Sequence, residues 1–297
     1  MLTAVSAITF ALLSQAGGDA LTSLRDNPQV SDETIERLRQ HYELDRPVTS
    51  RYLTWLGSFV TGDLGESFHF RTPVLKLILS RFWNTVLLGG GALLIAWSIA
   101  IGLSYLATLL KKRPLDRFIE LLVLLTASTP RIVVALFALA LIVRSTSTAI
   151  EIRSGSFASF WISALVLAVP LIALFLAQTH SELRDAMKQD CIRTARAKGL
   201  SEAVIIRRDA SRFALNPLLT ILGLSLGAII GGSVIVETIL GWPGLGELMV
   251  TAVRFRDVPL LMGIVVVTTI AVWLGNSTAE LLQLVNDKRL RDAVIAT

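Results

Sequence analysis

Gly223-Leu224-Ser225-Leu226-Gly227 has the Gly-x-Ser-x-Gly spacing that presents a nucleophilic serine on a strained strand-to-helix turn. A serine used in that way needs a histidine to take its proton. Here the pattern lies inside an unbroken apolar stretch, and His41, His69 and His180 all fall outside such stretches. The residues do not support a serine hydrolase. Gly223, Gly227 and Gly231 recur every four positions instead, which puts a smooth face on one helix for close packing against another. No glycine precedes a lysine, so the chain has no phosphate loop of its own. It also lacks His-Glu-x-x-His and paired cysteines, and the single Cys191 cannot close an internal disulfide. The sequence therefore predicts no catalytic residues, no metal and no cofactor bound by this chain.

What remains is a docking chemistry and two charges at membrane depth. The polar stretch from His180 to Asn216 interrupts an otherwise hydrophobic C-terminal half and carries Arg193-Thr194-Ala195-Arg196-Ala197-Lys198-Gly199-Leu200. Ala195, Ala197 and Lys198 favour a helix, and Gly199 suits the positive φ just beyond a helix C-terminus. Ser201 is placed to cap a second helix with Ala203, Val204, Ile206, Ala210 and Phe213 on its apolar side. This predicts a short helix–turn–helix whose alanine ridge another protein can grip. Lacking an energy-converting site, the chain would use it to attach an ATPase. Arg131 follows Pro130 near the middle of an apolar run, where it either lines a translocation path or pairs with Glu120 or a partner chain. Glu237 either marks an outer gate or sits in the membrane interface.

The elements that must position these residues are membrane spans. Of the 297 residues 53% are apolar and 17% charged, which predicts an all-α integral membrane protein. Apolar runs place six spans at roughly 2–16, 85–109, 119–143, 158–179, 217–240 and 258–283. With alternating sides, Lys111, Lys112, Arg113, Arg117, eight basic residues between Arg184 and Arg212, and Lys288, Arg289 and Arg291 share one face of the bilayer. The opposite short loops hold only Arg144, Arg153, Arg254 and Arg256. By the positive-inside rule the first face is cytoplasmic, and both termini lie there. The net charge of +5 is thus topology rather than a nucleic-acid footprint.

This divides the chain into a first span at 1–16, an external helical segment at 17–84, a five-helix core at 85–284 with a cytoplasmic coupling loop at 180–216, and a cytoplasmic tail at 285–297. In the external segment, Ser31, Asp32 and Glu33 start a helix with Ile35, Leu38 and Tyr42 on one face, stopped by Pro47. A second helix runs from about Arg51 to Val60. The first span is short, and no positive residue precedes it. That argues against a cleaved signal despite Ser14-Gln15-Ala16, and for a start that lacks its basic N-terminus. A secondary transporter or channel is the first alternative; it would need a polar or acidic site at the midplane, where the spans offer only Arg131 and no carboxylate. A scaffold without transport is the second.

Several motifs occur in order. Leu44-Asp45-Arg46-Pro47 with Arg51-Tyr52 is followed by Gly62-Asp63-Leu64-Gly65-Glu66-Ser67 with Pro73-Val74, then by Arg193 to Leu200. Gly232 through Glu237, Trp242-Pro243-Gly244-Leu245-Gly246, and Arg256-Asp257 with Pro259 complete the series. In these the chain resembles the permease subunits of binding-protein-dependent ABC importers, in the dipeptide/oligopeptide/nickel branch. The resemblance implies a pore shared with a second permease, often non-identical, in a prokaryotic cell membrane. It also implies two P-loop ATPases that hold ATP and Mg, an external substrate-binding protein, and import of short peptides or a related small solute. Arg193 to Gly199 would transmit the ATPase movement. The sequence departs from the branch at Cys191, where tyrosine is usual. It departs again at Asp209 and Phe213, where histidine and asparagine are usual, and at Arg131, where Phe or Tyr is common.

Overall fold

A computed structural model of the chain describes residues 2–15, 33, 36, 37, 39, 45–144 and 156–286. The named elements in these residues are all helical. In chain order they begin with α1 (Leu2–Gln15), α2 (Val48–Val60), α3 (Val74–Leu110), α4 (Arg113–Ser128), α5 (Arg131–Arg144) and α6 (Phe157–Ala186). There follow α7 (Asp190–Ala197), α8 (Glu202–Ile205), a π-helical turn (Ile206–Ala210), α9 (Ser211–Leu240), α10 (Leu245–Arg254) and α11 (Val258–Asn286). Two compact units divide the chain: Met1–Thr85 with Pro243–Ala271, and Val86–Trp242 with Val272–Thr297.

In the first unit, α1 covers about 21 Å at 1.5 Å per residue, short of a ~30 Å hydrocarbon core. Its Phe10 ring packs on Tyr52 of α2 at 5.6 Å, and the Tyr52 hydroxyl shares a 2.9 Å hydrogen bond with Ser6. Tyr52, Trp55 and Phe59, spaced three and four apart, stack along one side of α2. The expected helix at Ser31, with Asp32, Ile35, Leu38 and Tyr42, lies outside the described residues. After α2 the chain turns at Gly62 and Gly65, whose φ values of +85° and +80° suit glycine. That turn sends Leu64 into a core with Val74 and Ile78 of α3, Leu245 and Leu248 of α10, and Leu260 of α11. Helix α3 therefore starts at Val74, ahead of the expected span start at 85. A Cβ on Gly263 would lie 2.6 Å from Val74 Cγ1, so glycine is what lets these backbones meet.

The second unit is built on Leu88, Ala92, Ala96 and Ala100 of α3, spaced four apart, which share a core with Ala164, Leu167, Ala168, Leu171 and Phe175 of α6. Gly91 brings α3 against α6, since a Cβ there would meet Phe160 Cζ at 2.7 Å. Gly89 does the same against Ile229 of α9, at 2.8 Å.

One expected span is broken. The run at 119–143 is not a straight helix: α4 and α5 meet at 92° across Thr129 and Pro130. Proline disfavours a helical residue before it, and Thr129 is extended at ψ 116°. The hydroxyls of Thr126, Ser128 and Thr129 donate to the carbonyls of Leu122, Leu124 and Leu125, at 2.7, 2.6 and 2.6 Å. These are bonds back to carbonyls of the preceding turn, a pattern that weakens and bends a helix. Neither half is long enough to cross alone; among the described residues four helices are, by length and composition (α3, α6, α9 and α11), or five crossings if the bent pair is counted as one. The expected span at 217–240 is present as the apolar stretch Pro217–Leu240, within a helix that already begins at Ser211.

Candidate functional site

Helix α7 is amphipathic on a short scale. Ile192 and Ala195 turn inward onto Leu183, Ala186, Ile205, Ile206 and Ala210, while Cys191, Arg193, Thr194, Ala197 and Lys198 stand exposed. The expected alanine ridge is thus split: Ala195 holds the helix to its own chain, and Ala197 faces out. Asp190 in the first turn and Arg196 in the last agree with the helix dipole.

The helix ends in a Schellman arrangement. Gly199 N–H donates to Arg196 O at 2.9 Å, Leu200 N–H donates to Ala195 O at 3.3 Å, and Gly199 has φ +79°. Across that turn the Arg196 guanidinium forks onto Glu202, Nε to Oε1 at 2.5 Å and Nη2 to Oε2 at 3.2 Å. Lys111 Nζ reaches Glu202 Oε2 at 3.3 Å. The hydrogen bond from Arg196, ahead of the Lys111 charge, holds the Glu202 carboxyl below the usual glutamate range. Ser201 occupies the N-cap position of α8, but its side chain makes no cap bond, contrary to expectation. The second docking helix is also not a separate element. From Glu202 the chain is helical without interruption through the π turn into α9. Of its expected apolar side, Ile206 and Ala210 are buried and Phe213 is exposed.

Arg131 is the first residue of α5 rather than the middle of a straight span. Its Nη1 donates to Ala228 O on α9 at 3.0 Å. A Cβ built on Gly232 would meet the guanidinium carbon at 2.9 Å, so Gly232 is the opening through which arginine reaches that carbonyl. The partner is a backbone carbonyl and not Glu120. Glu237, one turn before the end of α9, is fully buried, and its carbonyl accepts the Trp242 N–H at 2.9 Å below the left-handed Gly241.

The three regularly spaced glycines differ. A Cβ on Gly223 would lie 3.0 Å from Ala279 Cβ of α11, on Gly227 3.9 Å from Val272 Cγ1, and on Gly231 within 4 Å of nothing. Close packing is confined to the first. No group of three or more His, Cys, Asp or Glu side chains suited to a metal occurs among the described residues.

One constellation was missed from sequence. Asp257 is fully buried and accepts three donors: Ser67 Oγ at 2.5 Å, His69 N–H at 3.0 Å and Leu260 N–H at 3.2 Å. It caps α11 and fastens the Gly62–Ser67 turn to it. Asn84 Nδ2 donates to Pro243 O at 2.7 Å, and Leu245 N–H donates to Thr85 Oγ1 at 2.8 Å. The motifs before α3 and after α9 are thus parts of one assembly in the first unit.

Four helices long and apolar enough to cross a membrane, with an exposed short helix between two long ones, describe a membrane component. Residues 92–292 match the family described as binding-protein-dependent transport system inner membrane component. Over 304 residues the chain is 33% identical to the oligopeptide transport system permease protein AppB of Bacillus subtilis (strain 168), covering 98% of this chain and 95% of that one. It is 31% identical over 306 residues to a putative peptide permease protein of Brucella suis biovar 1, with the same coverage. Identity to the glutathione transport system permease protein GsiC of Shigella flexneri serotype 5b is 28% over 280 residues, covering 94% and 90%. In fold it is similar to an inward-facing MetNI methionine ABC transporter chain, with a TM-score of 0.61 and 16% identity, covering 71% of this chain and 96% of that one. The chain belongs to the binding-protein-dependent inner membrane component family and is a permease subunit of an ABC importer.

Proposed function

We propose that this permease imports short peptides, forming its path with a second, non-identical permease and taking its energy from two P-loop ATPases that bind ATP and Mg. An external substrate-binding protein delivers the solute. The single observation behind this reading of the site is the capped α7: its inner face is fixed by Ile192 and Ala195, its angle by Gly199 and the Arg196–Glu202 fork, and its outer face is free. A rigid exposed helix at the foot of two long helices suits a groove on an ATPase. ATP-driven closure of the ATPases would pull α7 and α9 together as one body. Arg193, Thr194, Ala197, Lys198 and Leu200 supply the contact; Ala195, Arg196 and Gly199 position it.

The positive-inside rule supports an orientation with α7 on the cytoplasmic side and both termini on that same side. The substrate class follows that of AppB and the Brucella suis relative, both named as peptide permeases. Arg131, held on a helix carbonyl, acts as a tether between α5 and α9 rather than a lining of the path. The test is reconstitution with the neighbouring ATPases, second permease and binding protein, followed by uptake of labelled di- to pentapeptides with ATP. Co-purification of the ATPases and hydrolysis-dependent uptake are expected. Uptake that persists without ATPases would refute the proposal.

A further inference from the structure

Three cations gather where α3, α4, α6 and α7 come together. Lys111, Arg184 and Arg196 line a 240 Å³ cavity with Thr108, Asp116 and His180. A second cavity of 390 Å³ adjoins it through His180 and Arg184. His180 is 8% exposed, and neither ring nitrogen makes a hydrogen bond; the nearest carboxylate, Asp116 Oδ1, is 3.4 Å from Nε2. A buried imidazole in that state is costly unless a partner completes it.

Arg184 is exposed and makes no ion pair among the described residues, whereas Lys111 and Arg196 share Glu202. Lys111 also holds φ +52°, a conformation uncommon outside glycine that persists where surroundings fix it. Its ammonium group lies at the cavity, 3.3 Å from Glu202 Oε2.

The lining offers three permanent cations, two of them shared by Glu202 and the third, Arg184, without an ion pair among the described residues, beside Asp116 and an imidazole with unused hydrogen-bonding capacity. Lysine and arginine only donate, so the ligand must present several acceptors around a compact negative charge. Both a carboxylate and a phosphate match the arginine fork, but a phosphate has oxygens left over for the lysine and the imidazole. We propose that this cavity binds a phosphate group, supplied by an anionic phospholipid headgroup or by a soluble phosphoester. Ala107 and Met187 complete the wall on the apolar side, and basic pockets between helices at the membrane surface are where anionic headgroups bind. The proposal does not depend on which solute is transported.

The full-length chain, purified in detergent, tests it with two probes. Native mass spectrometry compares retention of phosphatidylglycerol and phosphatidylcholine, and equilibrium dialysis measures radiolabelled inorganic phosphate. Retention of one probe is expected to fall about tenfold in Arg184→Gln, the size of one lost charged hydrogen bond. It should also fall in His180→Gln and stay at the parental level in Arg207→Gln. Preference for phosphatidylglycerol that Arg184→Gln abolishes assigns the headgroup; phosphate retention lost in the same variant assigns a soluble phosphoester. If the parent retains neither probe selectively, or Arg184→Gln and Arg207→Gln behave alike, the proposal is overturned. Arg184 is solvent-exposed, so its variant folds even if His180→Gln does not.

Discussion

Replacing Gly199 separates backbone geometry from contact, because its φ is +79° and a Cβ there would meet nothing within 4 Å. Any effect must come from the left-handed conformation, which costs an L-residue roughly 1–2 kcal/mol and asparagine less. A β-branched residue pays the most. If the chain instead leaves that conformation, it gives up the bonds from Gly199 N–H to Arg196 O and from Leu200 N–H to Ala195 O. Each is worth about 0.5–1.5 kcal/mol net. Both routes cost about the same, so Gly199→Val should reduce the population with α7 correctly aimed by about tenfold or more. Gly199→Asn should lose little and Gly199→Ala should fall between.

The assay is ATP-driven uptake by the reconstituted complex, normalised to inserted protein. Cys191, the only cysteine of the chain and exposed on α7, carries an environment-sensitive maleimide attached before the ATPases are added. Uptake and the fluorescence change on ATPase addition should decline in the order Gly, Asn, Ala, Val, with insertion constant. Parental uptake in Gly199→Val, or equal damage from Asn and Val, would refute the reasoning.

Arg131→Gln and Gly232→Ala should each lower thermal stability by about 0.5–2 kcal/mol, and the double variant should be no worse than either, since both remove the bond to Ala228 O; simple additivity in a detergent melt would show they act apart. Leucine at Gly223 should cost about 1–3 kcal/mol through Ala279, leucine at Gly227 less, and alanine at Gly231 nothing measurable. Aggregation temperatures in another order would contradict the packing. Asp257→Asn should cost roughly 1–3 kcal/mol by turning an amide donor toward Ser67 and His69; an unchanged melting temperature would deny the hub its role. The depressed Glu202 pKa makes its bond with Arg196 fully stabilising above the ordinary glutamate value near ~4.3, and lost as pH falls through the lower folded value. Acid titration of the Cys191 label should therefore show a step at acid pH that Glu202→Gln removes.

The four long apolar helices and the end of α7 were legible because each is written locally. A run of apolar residues needs no partner to declare itself, and Gly199 after Ala-Lys announces a positive φ. The break at Thr129–Pro130 was hidden because average hydropathy is blind to backbone direction, although Pro130 and three hydroxyl residues at 126, 128 and 129 were its signal. Spacing of four at Gly223, Gly227 and Gly231 reveals a face but not its neighbour, and the glycine that admits Arg131 is Gly232, next to the pattern. Asp257 and Ser67 stand 190 residues apart; only the folded chain brings them together. Ser201 had the identity and position of a cap, while the orienting bond came from Glu202 beside it.

The uninterrupted helix from Glu202 to Leu240 has a mechanical consequence. At 1.5 Å per residue it is a rod about 58 Å long. A tilt of about 5° at its lower end would carry the upper end sideways by about 5 Å, roughly one helix pitch, with no bond broken along the way. The rod has two soft places, the π turn at Ile206–Ala210 and Pro217, and both lie in the half nearer α7. Bending is thus concentrated near the α7 end, and the remaining length up to Glu237 and Gly241 swings as a stiff arm.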